Sequence, residues 1–188
     1  MKKKNLLNSA LICFMLSLTS CNELTVYEKL AQCSTSSYDK VELNVLTKTN
    51  GQDLKSKFVL NKTEFNYEIE RLSLLDLNGT NDSYLKTIKG NGTYINGKIT
   101  LNDKEVEIPT IDEIKGSLSF NSDNFTNVVE GEGTFKADVN NLSDLLNATI
   151  NGHNGKIKIE YTNEPYKFKS IEIKYDTTLS NVLMSYEF

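Results

Sequence analysis

The sequence predicts a mainly-β domain: a curled antiparallel sheet, half-barrel or barrel-like, with a short N-terminal helix. Three observations predict it. From residue 40 onward apolar residues recur at alternate positions, as in Val41, Leu43 and Val45, or Phe65, Tyr67 and Ile69. That is the pattern of strands with one face buried and the other wet. Turn-forming pairs such as Asn96-Gly97 punctuate these runs, as hairpin connections do. A helical period stands just ahead of the first strand, between Leu24 and Ala31.

The helix comes first. Thr25-Val26-Tyr27-Glu28 has the form of a capping box, with Thr25 at the N-cap and Glu28 three residues on. Leu24, Tyr27, Leu30 and Ala31 fall at helical spacing and predict one apolar stripe. The run "CSTSS" from Cys33 to Ser37 then loosens the chain. In "YINGKI", Asn96-Gly97 predicts a type I′ hairpin, because both central positions need positive φ. A second turn at Asn102-Asp103 leads to Val106 and Ile108, and Pro109 stops that strand or marks an edge. "GSLSF" (116–120) and "GEGTFKADV" (131–139) read as strands, with Gly131 and Gly133 implying a bulge or bend. "LSDLL" (142–146) predicts one helical turn. Lys156–Tyr161, Tyr166–Tyr175 and Val182–Phe188 predict a three-strand meander, with the C-terminus paired into the sheet. Roughly eight to eleven short strands must curl or close to hide their edges.

Ahead of this domain, Lys2 to Lys4 and the apolar segment Leu6–Leu18 form a charged n-region and an h-region. The apolar run is shorter than the roughly 20 residues that span a bilayer. Leu18-Thr19-Ser20-Cys21 resembles the bacterial lipobox, which implies that residues 1–20 are a lipoprotein signal peptide. It also implies that Cys21 receives a diacylglyceryl group and becomes the mature N-terminus. Two or three long chains anchor a protein stably where one does not. The expected location is extracytoplasmic, anchored by lipid at the cell membrane or outer membrane, with residues 21–188 as a single domain.

The signal removes three of the 21 basic residues and none of the 25 acidic ones, leaving a mature net charge of −7 over 168 residues. With no basic block, nucleic acid is not expected as a partner. Cys13 leaves with the signal and Cys21 is acylated, so Cys33 has no partner for a disulfide and is expected to be buried or idle.

Chemistry is hard to find. The one histidine, His153, lies in the turn "NGHNG" with neither nucleophile nor orienting acid beside it, and a Cys/His zinc site is excluded by count. "DLNGTND" (76–82) resembles the start of an EF-hand loop, but Asn81 replaces the glycine of the sixth position and Thr87 the bidentate glutamate. "GEGTF" lacks the strand-to-helix context of a phosphate loop. Glu105/Glu107 and Glu130/Glu132 read as solvated strand faces rather than a facing acid–base pair. The expectation is a protein that is not an enzyme, without cofactor or metal.

In element order the chain resembles the half-barrel lipoproteins of the LolA/LppX type. The segments "YDKVELNVLT", "DLKSKFVL", "EFNYEIERL" and "KIKIEYTNEPYKFKSIEIKY" carry the resemblance. It implies a curled sheet of about eleven strands, short helices over its mouth, and a concave face that binds an acyl chain or another apolar ligand. Late in the chain the inward-facing candidates for that role are Ile157, Ile159, Phe168, Ile171, Ile173, Tyr175 and Met184. The partners expected are the membrane, through Cys21, and a hydrophobic small molecule. The alternative is a surface interaction protein, an adhesin, inhibitor or immunity protein, that uses the sheet face or its loops. Metabolic labelling with a fatty-acid analogue tests the anchor: Cys21→Ser should abolish incorporation, and equal label on both proteins contradicts it.

Overall fold

The computed structural model describes residues 24–49, 52–75, 82–95, 97–101 and 104–188. Cys21, the "DLNGTND" loop up to Asn81, Asn96 and the Asn102-Asp103 turn lie outside them. Helix α1 (Val26–Thr35) precedes β1 (Lys40–Thr49), β2 (Gln52–Asn61), β3 (Glu64–Leu75), β4 (Asp82–Ile95), β5 (Lys98–Leu101) and β6 (Lys104–Glu107). Helix α2 (Ile111–Gly116) and a 3-10 turn at Ser122–Asn124 lead to β7 (Phe125–Gly131) and β8 (Thr134–Val139). Then come α3 (Leu142–Leu145), β9 (His153–Asn163), β10 (Tyr166–Asp176) and β11 (Ser180–Glu187).

The eleven strands make one curled, open antiparallel sheet in the order β6-β5-β4-β3-β2-β1-β11-β10-β9-β8-β7. It is two meanders joined where the first strand pairs with the last. Eight residue pairs, from Glu42–Glu187 to Thr49–Ser180, make that seam. The C-terminus is held as the sequence predicts: the Phe188 N–H donates to the Lys169 carbonyl at 3.2 Å.

Helix α1 forms where the capping box places it. The Thr25 hydroxyl accepts from the Glu28 N–H at 3.3 Å, and the Glu28 carboxylate accepts from the Thr25 N–H at 2.7 Å. Its buried stripe is Val26, Leu30 and Cys33, at i, i+4 and i+7. Ala31 is exposed rather than on that stripe, and Leu24 and Tyr27 are half-buried. Val26 takes the place expected of Ala31, because a helix turned toward Leu30 and Cys33 presents residue 26 rather than 31.

Two expectations are corrected. "GSLSF" is no strand: Gly116 ends α2 and Leu118–Phe120 is irregular. The preceding residues carry a second capping box, Thr110 with Glu113, in which the carboxylate accepts from the Thr110 N–H at 2.8 Å. The topology requires this, since β6 and β7 lie at opposite edges of the sheet and residues 108–124 must cross a face to connect them. "GEGTFKADV" is likewise not one bent strand. Glu132-Gly133 turns the chain from β7 to β8, with Gly131 opposite Thr134.

Helices α1 and α3 and the crossing segment all pack on one face. Beneath them Phe135, Ile159, Ile171 and Ile173 are fully buried, together with Leu30, Cys33 and Leu145 from the helices. Each such side chain contributes about 1.5–3 kcal/mol by leaving water. The Tyr27 ring meets Phe135 edge-on at 6.1 Å between centroids. Lys115 fastens α2 to α1. It is buried, donates to the Ser36 carbonyl, pairs with Asp112 at 2.7 Å and lies 5.0 Å from the centre of the Tyr38 ring.

The turns yield a graded prediction. Gly97 has φ of 81° and a Cβ there would make only ordinary contact, 3.7 Å from the Ile108 carbonyl oxygen, whereas Gly133 has φ of 63° and a Cβ there would fall 2.6 Å from the Tyr161 carbonyl oxygen. Gly97→Val should cost about 1–2 kcal/mol from backbone strain and lower the melting temperature by roughly 2–8 °C. Gly133→Val adds a backbone clash and should lower it further. Thermal melts that reverse this order contradict the turn geometry.

Candidate functional site

The helices cover the two halves of the sheet unequally. On β8–β11 the helix-bearing face is sealed. Ile157, Ile159, Phe168, Ile171 and Ile173, candidates for an apolar lining, sit there in the closed core, brought together by the pairings Ile159–Ile171 and Ile157–Ile173. Tyr175 and Met184 are half-buried at its margin. The structure gathers all seven on one face and places five of them under cover.

The same face continues across β1–β4, with Val41 of β1, Leu60 of β2 and Tyr94 of β4 buried at the end toward α2. Away from that end it carries Leu43 and Val45 of β1, Phe58 of β2, Phe65, Tyr67 and Ile69 of β3, and Ile88 of β4. All are half-buried. The rings of Phe58 and Phe65 stack at 6.5 Å, and those of Phe65 and Tyr67 lie 5.8 Å apart. Glycines make room for them: Gly90 and Gly92 stand opposite Tyr67 and Phe65, and a Cβ on Gly90 would lie 2.4 Å from the Tyr67 ring. Met184, opposite Val45 across the seam, joins this open half to the sealed one.

At one end the groove runs beneath the crossing segment. A cavity of about 700 Å³ lies there, with Leu43 and Tyr186 of the sheet on one side and Ile108, Pro109 and Ile114 on the other. Volumes of this order accommodate drug-sized ligands. Lys98, Glu107 and Glu113 stand at its rim. Glu113 is held below the usual carboxylate range by hydrogen bonds from the Thr110 backbone and hydroxyl. Burial pushes the Tyr186 phenol up to about 12. The Tyr94 hydroxyl is buried close to the Gly97 backbone. Burial, and then the Glu113 carboxylate, raise its pKa.

At the other end the sheet forks. β2 pairs with β3 only from Ser56–Ile69 to Leu60–Phe65, while β1–β2 runs on to Thr49–Gln52 and β3–β4 to Leu75–Asp82. In the crotch the Glu70 carboxylate accepts from the Lys55 N–H at 3.0 Å. A smaller cavity of about 330 Å³ opens there, lined by Asn44, Lys55, Lys57, Glu68 and Glu70. It lies on the opposite face by register. Leu46 and Leu183 also line it, and two of its charged groups are paired, Lys57 with Glu42 at 2.6 Å and Glu68 with Lys89 at 2.9 Å.

The residues that were weighed for chemistry are not assembled. His153 is exposed at the start of β9. Glu105 pairs with Lys98 at 3.3 Å and Glu130 with Lys29 at 2.8 Å, on different strands at opposite edges. Cys33 is buried and its thiol is pushed up to about 12 by burial, far from the nucleophilic range. Among the described residues no group of three or more His, Cys, Asp or Glu is placed to hold a metal ion, and no helix is long and apolar enough to cross a membrane.

No protein-family profile matches this chain, and no curated protein sequence matches it significantly.

Tyr186 floors the cavity and gives a pH signature. Its folded pKa of about 12 lies above the value of about 10 in an unfolded chain. The folded state then holds the proton more tightly, so its contribution is complete below about pH 10 and is lost as pH rises toward 12. Denaturant titrations should show Tyr186→Phe gaining stability relative to the parent between those values. Parallel pH profiles would contradict the burial of this phenol.

Proposed function

We propose that this chain is an extracytoplasmic lipoprotein, anchored through Cys21, that binds a hydrophobic or amphiphilic small molecule without catalysis. The observation that carries the reading is the apolar groove on β1–β4. Phe58, Phe65, Tyr67, Ile69 and Ile88 line it half-buried, and the cavity beneath α2 continues it. A water-filled apolar trough of this kind lowers its free energy by exchanging water for an apolar occupant. The residue chemistry supports no reaction. Cys33 is buried, and the carboxylate pairs do not face each other. The LolA/LppX-like element order and the lipobox point the same way.

The expected ligand surface is thus shifted from the late strands to the early ones. Ile157, Ile159, Phe168, Ile171 and Ile173 act in this reading as the support under α1, and Met184 as the border residue. A second reading, an interaction protein, draws on the fork: unpaired strand edges between β2 and β3 offer backbone groups to an extended partner.

Titration of the Asn22–Phe188 domain with a fluorescent fatty acid tests the proposal. Saturable binding is expected, weakened about tenfold or more by Phe58→Asp or Gly90→Leu, the effect of about 1.4 kcal/mol or more of lost contact. Ile173→Asp should unfold the domain instead, since it buries a charge in the sealed core. A folded domain that binds no probe overturns the ligand reading in favour of the interaction protein.

A further inference from the structure

We propose that a second, polar pocket between the crossing segment and α3 binds a saccharide. It is separate from the apolar groove, and the two sites stand or fall independently. Gly116 at the end of α2, Ser119, Asn121 and Asn124 of the crossing segment, and Asp144 of α3 with Asn147 just after it surround a cavity of about 420 Å³. That is the size of a small-molecule site, but the lining is made of hydrogen-bonding groups where most ligand pockets are apolar. Its walls are tied together. The Ser119 N–H donates to the Leu145 carbonyl at 2.9 Å, and the Asn140 N–H donates to the Asn124 carbonyl at 2.8 Å. Leu118 and Leu145, neighbours of these residues in sequence, are buried in the core, so the walls are fixed in place without a ligand.

One buried group points to an occupant. Asn124 is 6% exposed and yet lines this pocket. Its amide nitrogen donates to the Ser119 carbonyl at 3.3 Å, and no donor among the described residues reaches its carbonyl oxygen. A buried acceptor without a partner costs stability, and a ligand hydroxyl satisfies it. The neighbouring side chains have spare capacity of both kinds. Asn121 accepts from the Asp123 N–H at 3.3 Å through its oxygen, which leaves its NH₂ group to donate. Asp144 accepts from the Asn141 amide at 2.7 Å through one oxygen, which leaves the other to accept. Asn147, with φ of 46°, adds a whole side-chain amide that bonds to nothing among the described residues.

The charge of the lining narrows the ligand class. Asp144 is its one ionised side chain, so an anion is repelled. Half of that carboxylate is already held by Asn141, and among the described residues no group of three acidic, His or Cys side chains gathers to hold a metal ion. What fits is an uncharged ligand dense in hydrogen-bonding groups. An asparagine amide presents donor and acceptor side by side, and a hydroxyl is donor and acceptor at one atom. Adjacent hydroxyls of a sugar ring therefore match a wall of amides, and the hydroxyl that meets Asp144 makes the charge-assisted contact. The surrounding segments are helical or irregular, so they offer no strand edge to an extended peptide.

Nuclear magnetic resonance titration of the isotope-labelled Asn22–Phe188 domain with glucose, galactose, mannose and N-acetylglucosamine tests this. At least one sugar should move the side-chain amide resonances of Asn121, Asn124 and Asn147 saturably, with a dissociation constant of about 1 mM or below. Asp144→Asn and Asn147→Gly should each weaken that binding about tenfold, the effect of one strong hydrogen bond, with the backbone spectrum still that of the folded domain. Glycine suits the positive φ at position 147, so that variant removes the amide without straining the chain. Sugar binding that both variants keep at full strength places the site elsewhere and overturns the proposal. A folded domain in which none of the sugars moves these resonances well above millimolar concentration overturns it too. If calcium chloride moves them where the sugars do not, the pocket is a cation site and the saccharide is wrong.

Discussion

The pairing of β1 with β11 is the constraint on which the rest of the structure depends. It joins a meander of six strands to one of five, eight residue pairs long, and so puts β6 and β7 at the two far edges. The chain between those edges must then traverse a face of the sheet. Residues 108–124 do so as α2 and an irregular stretch, with Ile111 and Leu118 buried in the same core as the helices. Long-range pairing of this kind carries a loop-closure cost before its contacts repay it, so the seam is expected to form late relative to the local hairpins.

From that seam follows the difference between the two halves. The late strands receive α1 and α3 and close into a dry core, with Phe135, Ile159, Ile171 and Ile173 sealed from solvent. The early strands receive only the end of the crossing segment. On the other side Val41, Leu60, Tyr94 and Ile99 are buried toward α2, and beyond them aromatic rings over glycines stay half-buried. Division of labour between a rigid scaffold and a less stable binding region is common in ligand-binding domains. Lys115 sits at the junction. Its ammonium ties α2 to the end of α1 through the Ser36 carbonyl, and so fixes the roof of the cavity relative to the core.

Local signals in the sequence were read well where the local pattern decides the outcome. The Thr25–Glu28 capping box, the final three strands, the "LSDLL" turn and the strand end before Pro109 follow from side-chain spacing and backbone chemistry that act within a few residues. Residues 116–120 carry strand-like alternation but form no strand, and the helix ahead of them has in Thr110 and Glu113 the same capping box as Thr25 and Glu28. Short apolar runs such as Leu118 and Phe120 carry too few positions to separate a strand from a crossing segment. Gly131 and Gly133 posed a similar problem, since a glycine pair marks a bulge or a turn depending on what the flanking strands pair with.

The sequence by itself determined which residues turn inward. Period-two alternation is set by the pleat, so Phe65, Tyr67 and Ile69 were as legible as Ile157, Ile159, Ile171 and Ile173. It also determined that the chain is acidic, with 25 Asp and Glu against 21 Lys and Arg. Only the tertiary structure decided which inward rows lie under helices and which lie open. Helix α1 carries an apolar stripe that fits any apolar face, and its choice of β10 over β3 depends on strand order and on the path of the crossing segment. Those are set by contacts between residues more than a hundred positions apart, such as Val45 with Met184, which no local pattern encodes.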